Sequence, residues 1–93
     1  MENKKEIPIK ANDKVAQGVY ANTMMVTHTK EEFVMDFLNV MPPQGALVSR
    51  IFATPGHMKR IVKALSENLG NYEKQFGAID ESKSPAEVGF KTE

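Results

Sequence analysis

The 93-residue chain contains no cysteine, and it has no excess of either charge. The missing cysteine excludes disulfides, a thiolate metal site and a cysteine nucleophile. Twelve lysines and arginines balance twelve aspartates and glutamates, so no global field draws the protein toward nucleic acid or a membrane. No run of about 18 apolar residues is present, and the N-terminal stretch has no apolar signal core. We therefore expect a cytoplasmic protein with no cofactor, no metal and no membrane association.

The length allows one domain with a thin core, because a chain this short buries only about 60% of the surface that its unfolded form exposes. Apolar periodicity is missing at both ends, over residues 1–5 and 80–93. We expect these ends to be disordered around a single α+β domain at residues 6–79.

Alternating apolar residues predict an antiparallel sheet of three to four strands. Ile7 and Ile9 lie two apart, the spacing of one strand face, and Pro8 between them restricts this segment to a sheet edge. Stronger patterns cover residues 19–27, 33–40 and 46–53, and "MPPQG" between the last two reads as a hairpin loop.

The predicted strands carry apolar side chains on both faces, although a solvated face of an antiparallel sheet is normally polar. One helix can cover only one of these faces. We therefore expect an oligomer, a homodimer or a tetramer, and Met25 is a candidate for the interface on the uncovered face.

One long C-terminal helix follows the sheet. Thr54 fits the N-cap, Pro55 the first helical position and Gly77 the C-terminal stop. An apolar stripe runs along it, formed by Met58, Ile61, Val62, Leu65, Leu69, Tyr72 and Phe76. The stripe can lie on the chain's own sheet. Its steps of three and four from Val62 also suit a helix seam, so the overhanging Leu69, Tyr72 and Phe76 are candidates for contact with a second subunit.

Asp36 lies in register between apolar residues on a strand face, where an unpaired carboxylate would be costly. We expect a structural ion pair with Arg50 on the neighbouring strand. The alternative is an acid that orients a ligand.

A basic group surrounds the start of the helix and comprises Arg50, His57, Lys59, Arg60 and Lys63. Cations here are mildly disfavoured by the helix macrodipole, so an anion or an acidic partner surface could compensate them. We favour the other interpretation, a solvated helix face on which Lys63 pairs with Glu67.

The chain resembles a family of small bacterial, archaeal and phage proteins known as a domain of unknown function, over residues 7–79. The motifs that carry the resemblance are Gly18-Val19-Tyr20 with Asn22, Glu32-Phe33 to Asp36-Phe37, Arg50, Thr54-Pro55 with His57 and Lys59-Arg60, and Asn68 with Tyr72-Glu73 and Phe76-Gly77. Met58 departs from the alanine common in that family. The resemblance implies no activity. The order of strands and helix is also similar to that of SecB-type export chaperones, an analogy of topology alone.

Two histidines, His28 and His57, without a nearby carboxylate motif give little support to an enzyme, and we predict no catalytic residues. The sequence favours a noncatalytic homo-oligomeric binding or adaptor module, with chaperone-like binding of a protein partner as one form. The alternative is a small nucleic-acid-associated regulator that uses the basic helix face.

Overall fold

A computed structural model describes residues 5–81 of the chain. Its elements are α1 (Asp13–Gln17), β1 (Thr23–His28), β2 (Phe33–Met41), β3 (Gln44–Ala53) and α2 (Pro55–Phe76). The three strands form one antiparallel sheet in the order β1-β2-β3. The predicted α+β class and the long C-terminal helix are therefore confirmed. The predicted disordered ends lie outside the described residues, except for Lys5, Asp80 and Glu81.

The predicted fourth strand at Ile7 and Ile9 is wrong. Residues 5–12 contain no strand, and the side chains of Ile7 and Ile9 are 74% and 85% exposed. Pro8 has no N–H to give to a neighbouring strand, which removes the hydrogen bond that would have joined the segment to the sheet. The predicted connector after it instead contains α1, whose N-cap Asn12 accepts a hydrogen bond from the N–H of Lys14 at 2.8 Å.

The strand predicted at residues 19–27 begins four residues later, at Thr23. Before it, the side chain of Asn22 takes the place of a strand's backbone. Its Nδ2 donates to the carbonyl of Val40, and its Oδ1 accepts from the N–H of Val40, both at 2.9 Å. The Asn22 side chain therefore makes the two hydrogen bonds to Val40 that the backbone of a longer β1 would have made.

The β2–β3 hairpin turns at Pro42 and Pro43, joined by a cis peptide bond, as the "MPPQG" pattern predicts for a loop. The register shifts between Phe37, which faces Ser49, and Leu38, which faces Leu47. Val48 is thus an extra residue in β3 and forms a β-bulge.

Helix α2 begins and ends where the sequence predicts. The Thr54 hydroxyl accepts from the N–H of His57 at 3.2 Å, and Pro55 occupies the first helical position. At the other end Gly77 has a φ of 97°, and its N–H donates to the carbonyl of Glu73 at 2.8 Å. A positive φ of this kind is easiest for glycine. In the part of the chain that the structure describes, no helix is both long and apolar enough to cross a bilayer.

The core is very small. Only three hydrophobic residues among 5–81 are buried, namely Met35, Val40 and Ala53. No residue of α2 is buried, and only Met58, Ile61 and Glu73 in that helix are half-buried. The expectation that the apolar stripe lies on the chain's own sheet is therefore met only in the first turns. The rest of the stripe is exposed.

Candidate functional site

The two faces of the sheet carry different side chains, as the register shows. We call one the helix-side face; it includes Met24, Val26, His28, Phe33, Met35, Phe37, Ser49, Ile51 and Ala53. The first turns of α2 and Phe33 border one cleft on this side, and residues 20–23 border another with Met24 and Phe37. Two of the three buried residues, Met35 and Ala53, belong to this face.

We call the other face the open face; its residues are Thr23, Met25, Thr27, Val34, Asp36, Leu38, Val40, Leu47, Arg50 and Phe52. Met25, Leu47 and Phe52 are 41%, 51% and 58% exposed, one or more on each outer strand. The open face thus presents large apolar side chains to solvent on both sides of its central strand.

The structure brings Asp36 and Arg50 together at the centre of the open face. They lie directly opposite each other on β2 and β3, and Met25 lies opposite Asp36 on β1. Arg50 binds the carboxylate in bidentate fashion, with Nε to Oδ1 at 2.7 Å and Nη2 to Oδ2 at 3.0 Å. The side chains of Arg50 and Asp36 are 52% and 18% exposed. The pair therefore holds a half-exposed guanidinium in one orientation, with N–H groups left over to donate elsewhere.

The hydrogen bonds from Arg50 lower the pKa of Asp36 below its ordinary value, against the opposing effect of partial burial. A lowered pKa in the folded state stabilises the fold at pH values above the unfolded pKa of about 3.9, and this contribution is lost as the pH falls through the folded pKa.

We predict that Asp36→Asn lowers the urea midpoint at pH 7. We also predict that the difference from wild type begins to shrink below about pH 4, where the unfolded-state carboxylate becomes protonated, and is lost as the pH falls through the lower folded-state pKa of Asp36.

Urea titrations of both proteins from neutral to acid pH measure this difference directly. Glu31→Gln is the matched control, since Glu31 is exposed and its carboxylate forms no ion pair with another of the described residues. Its curve should run parallel to that of the wild type. A constant gap between Asp36→Asn and wild type across the acid range would contradict the pairing.

The basic group at the start of α2 is partly satisfied by the protein itself. Thr54 accepts the N–H groups of both His57, through its hydroxyl, and Met58, through its carbonyl. Pro55 has no N–H, so Gly56 is the one residue of the first helical turn whose N–H is not used in the described part of the chain. Arg60 Nη2 lies 3.2 Å from Nδ1 of His57. The turn therefore offers an anion fewer donors than its sequence suggests.

Lys59 and Lys63 are exposed on the same side of the helix. The suggested pair between Lys63 and Glu67 is not formed: within residues 5–81, the one salt bridge is that of Asp36 with Arg50. Arg50 is separate in role from the helix cations because its guanidinium is bound on the sheet. Over the same residues, no group of three or more histidines, aspartates or glutamates is placed to hold a metal ion.

The candidate interface residues are all accessible. Met25 lies on the open face, while Leu69, Tyr72 and Phe76 lie along α2 with exposures of 53%, 49% and 66%. The rings of Tyr72 and Phe76 pack against each other, with centroids 4.9 Å apart.

Sequence reasoning missed the outer edge of β1. This strand, "TMMVTH", pairs with β2 on one side and has no strand on its other side within the described residues. It contains no lysine, aspartate, glutamate or proline, the residues that commonly protect an edge from pairing. The composition of this strand could be read from the sequence. Its position at the sheet edge could not, because the sequence predicted a further strand at Ile7 and Ile9.

The chain matches the family described as a protein of unknown function (DUF3467) over residues 1–81, and it belongs to that family. No curated protein and no solved structure matches it.

Proposed function

We propose that this DUF3467 protein is a noncatalytic, homo-oligomeric module that binds extended apolar segments of other proteins on the open face and along the edge of β1. The observation that carries the proposal is the open face itself, where half-exposed Met25, Leu47 and Phe52 share one face with a guanidinium held by Asp36. An apolar surface with one fixed hydrogen-bond donor suits a peptide, which offers apolar side chains and carbonyl acceptors together.

The edge of β1 supplies the second half of the site. An extended segment can add as a fourth strand beside β1, where main-chain hydrogen bonds give affinity that does not depend on the segment's sequence. Its alternate side chains would then lie beside Met25 and Thr27 on the open face. Such binding is chaperone-like, because it selects exposed apolar segments rather than one folded partner.

Nucleic-acid binding by the basic helix face has less support. Arg50 is bound by Asp36 on the sheet, and the N-cap uses most of the donors of the first helical turn. Gel shifts over a salt series provide its test, since binding to phosphates must weaken steeply as salt rises.

Met25 and Met24 provide a matched pair of variants for the proposed site. They are adjacent in β1, have similar exposures of 41% and 49%, and point to opposite faces. We predict that Met25→Glu weakens binding of a permanently unfolded client by about tenfold or more, or about 1.4 kcal/mol, because it places a charge on the open face. Met24→Glu should lose less binding than Met25→Glu, because its side chain lies on the helix-side face and leaves the open face unchanged.

The client in this experiment is fluorescein-labelled, reduced and carboxymethylated lactalbumin, titrated and followed by anisotropy. Circular dichroism of both variants establishes that each is folded. Equal loss in the two variants, or no binding by the wild type at any salt concentration, would overturn the proposal.

A further inference from the structure

Most of the apolar stripe of α2 lies outside the contact between this helix and the sheet. After Met58, which is half-buried, the stripe continues through Val62, Leu65, Leu69, Tyr72 and Phe76, with exposures of 55%, 65%, 53%, 49% and 66%. Soluble monomers rarely expose more than a few hundred Å² of contiguous apolar surface. Among residues 5–81 only three are buried, so a stripe of this length needs to be buried against a partner for stability as well as for solubility.

The stripe has an internal symmetry. Around Glu67, Leu65 and Leu69 lie two residues away on either side, Val62 and Tyr72 lie five away, and Met58 and Phe76 lie nine away. Glu67 itself lies on the opposite side of the helix, because it is two residues from each leucine. A second copy running in the opposite direction, with a two-fold axis at the level of Glu67, would match these six stripe residues with one another. Ile61, the remaining stripe residue, is half-buried in its own subunit and would lie at the level of Glu73 of the partner subunit.

We propose that α2 packs antiparallel against α2 of a second copy of this chain in this register. Met58 then lies against Phe76 of the partner subunit, Val62 against Tyr72 of the partner subunit, and Leu65 against Leu69 of the partner subunit. The inference rests on the homo-oligomeric part of the proposed function and assigns its interface, which is separate from the open face.

Side-chain size favours the antiparallel arrangement. The smaller residues of the stripe, Met58 and Val62, are in its first half, and the aromatic residues Tyr72 and Phe76 are in its second half. Antiparallel packing places a small side chain against a large one in both outer layers, so the helices stay at a uniform distance. Parallel packing would stack the aromatic residues together at one end and leave a gap at the other.

Charge favours it as well. The first half of α2 carries Lys59, Arg60 and Lys63, and the second half carries Glu67 and Glu73 with Lys74. Lys59, Ser66 and Glu73 are seven residues apart and flank the stripe on one side. In the antiparallel pair this flank meets its own copy, so Lys59 lies within one helical turn of Glu73 of the partner subunit. A parallel pair would set the two basic halves side by side.

The area is adequate for a stable contact. The five stripe residues from Val62 to Phe76 are about half exposed or more and offer on the order of 100 Å² each, and Met58 adds a smaller area. The six stripe residues together with the aliphatic stems of the flanking lysines approach the roughly 800 Å² per partner of a standard interface.

The cysteine-free chain allows a direct test by single cysteines along the flank. Three variants are made, Lys59→Cys, Ser66→Cys and Glu73→Cys, and each is treated with a short bis-maleimide cross-linker. We expect Ser66→Cys to cross-link to itself, because it lies next to the two-fold axis. Lys59→Cys and Glu73→Cys should not cross-link alone, since two Lys59 positions are separated by about 24 Å along the pair. A mixture of these two should give a cross-linked heterodimer.

Sedimentation equilibrium of the wild type at micromolar to submillimolar concentrations completes the test. A dimer in which Ser66→Cys fails to cross-link, or in which Lys59→Cys links to itself as well as Ser66→Cys does, overturns the antiparallel α2 contact and leaves the proposed oligomer standing. A folded monomer at every concentration overturns both. Neither result affects client binding to the open face, which the Met25 and Met24 variants measure separately.

Discussion

Met35→Ala is expected to lower the free energy of unfolding by about 2–5 kcal/mol, the range for truncating a large buried side chain. Met35 is 7% exposed on the middle strand, and it is the largest of the three residues that are buried among residues 5–81. Domains of this size have a total stability near the lower end of about 5–15 kcal/mol. The substitution therefore removes a large share of what holds the sheet together, as urea unfolding at a fixed protein concentration would measure.

Two controls separate burial from chemistry. Met24→Ala makes the same change on the same face at a side chain that is 49% exposed, and it should cost much less. Met35→Leu keeps nearly the same volume and should cost less than about 1.5 kcal/mol. Equal losses for Met35→Ala and Met24→Ala would show that Met35 does not occupy a core position.

The strands and the long helix could be predicted because each has a local signal. The apolar alternation of residues 33–40 and 46–53, the Thr54-Pro55 start and the Gly77 stop all act within one element. Each of these features is present in the structure within a few residues of its predicted position. A hairpin places its two strands side by side, so the opposition of Asp36 and Arg50 also depended on a local feature.

What lies against each apolar face is not a local property. The stripe of α2 has the spacing of a helix that packs on its own sheet, yet its side chains after Ile61 are exposed. Periodicity identifies the face of a helix that is expected to be buried. It does not say whether the chain's own sheet or a second subunit buries that face. The edge position of β1 depended in the same way on another segment, residues 7–9, which the pattern alone assigned to the sheet.

Asn22 shows a third limit, because its role depends on a residue 18 positions away. Its side chain bonds both backbone groups of Val40, and its own N–H donates to the carbonyl of Leu38 at 3.0 Å. Nothing in the neighbouring sequence points to Val40. Asn22 is part of the motif by which the chain resembles its family, and this contact gives it a structural role.

Asn22→Ala is expected to destabilise the protein by about 1–3 kcal/mol, because it leaves the N–H and the carbonyl of buried Val40 without their partners. Asn68→Ala is the matched control. Asn68 also donates to a backbone carbonyl, that of Ala64 at 3.3 Å, but it is exposed on α2, where alanine has the better helix propensity. Its change should be within about 0.5 kcal/mol of zero. Hydrogen exchange locates the effect: the Val40 amide should lose protection in Asn22→Ala and keep it in Asn68→Ala, and unchanged protection in both would rule out the side-chain contact as the closure of the sheet.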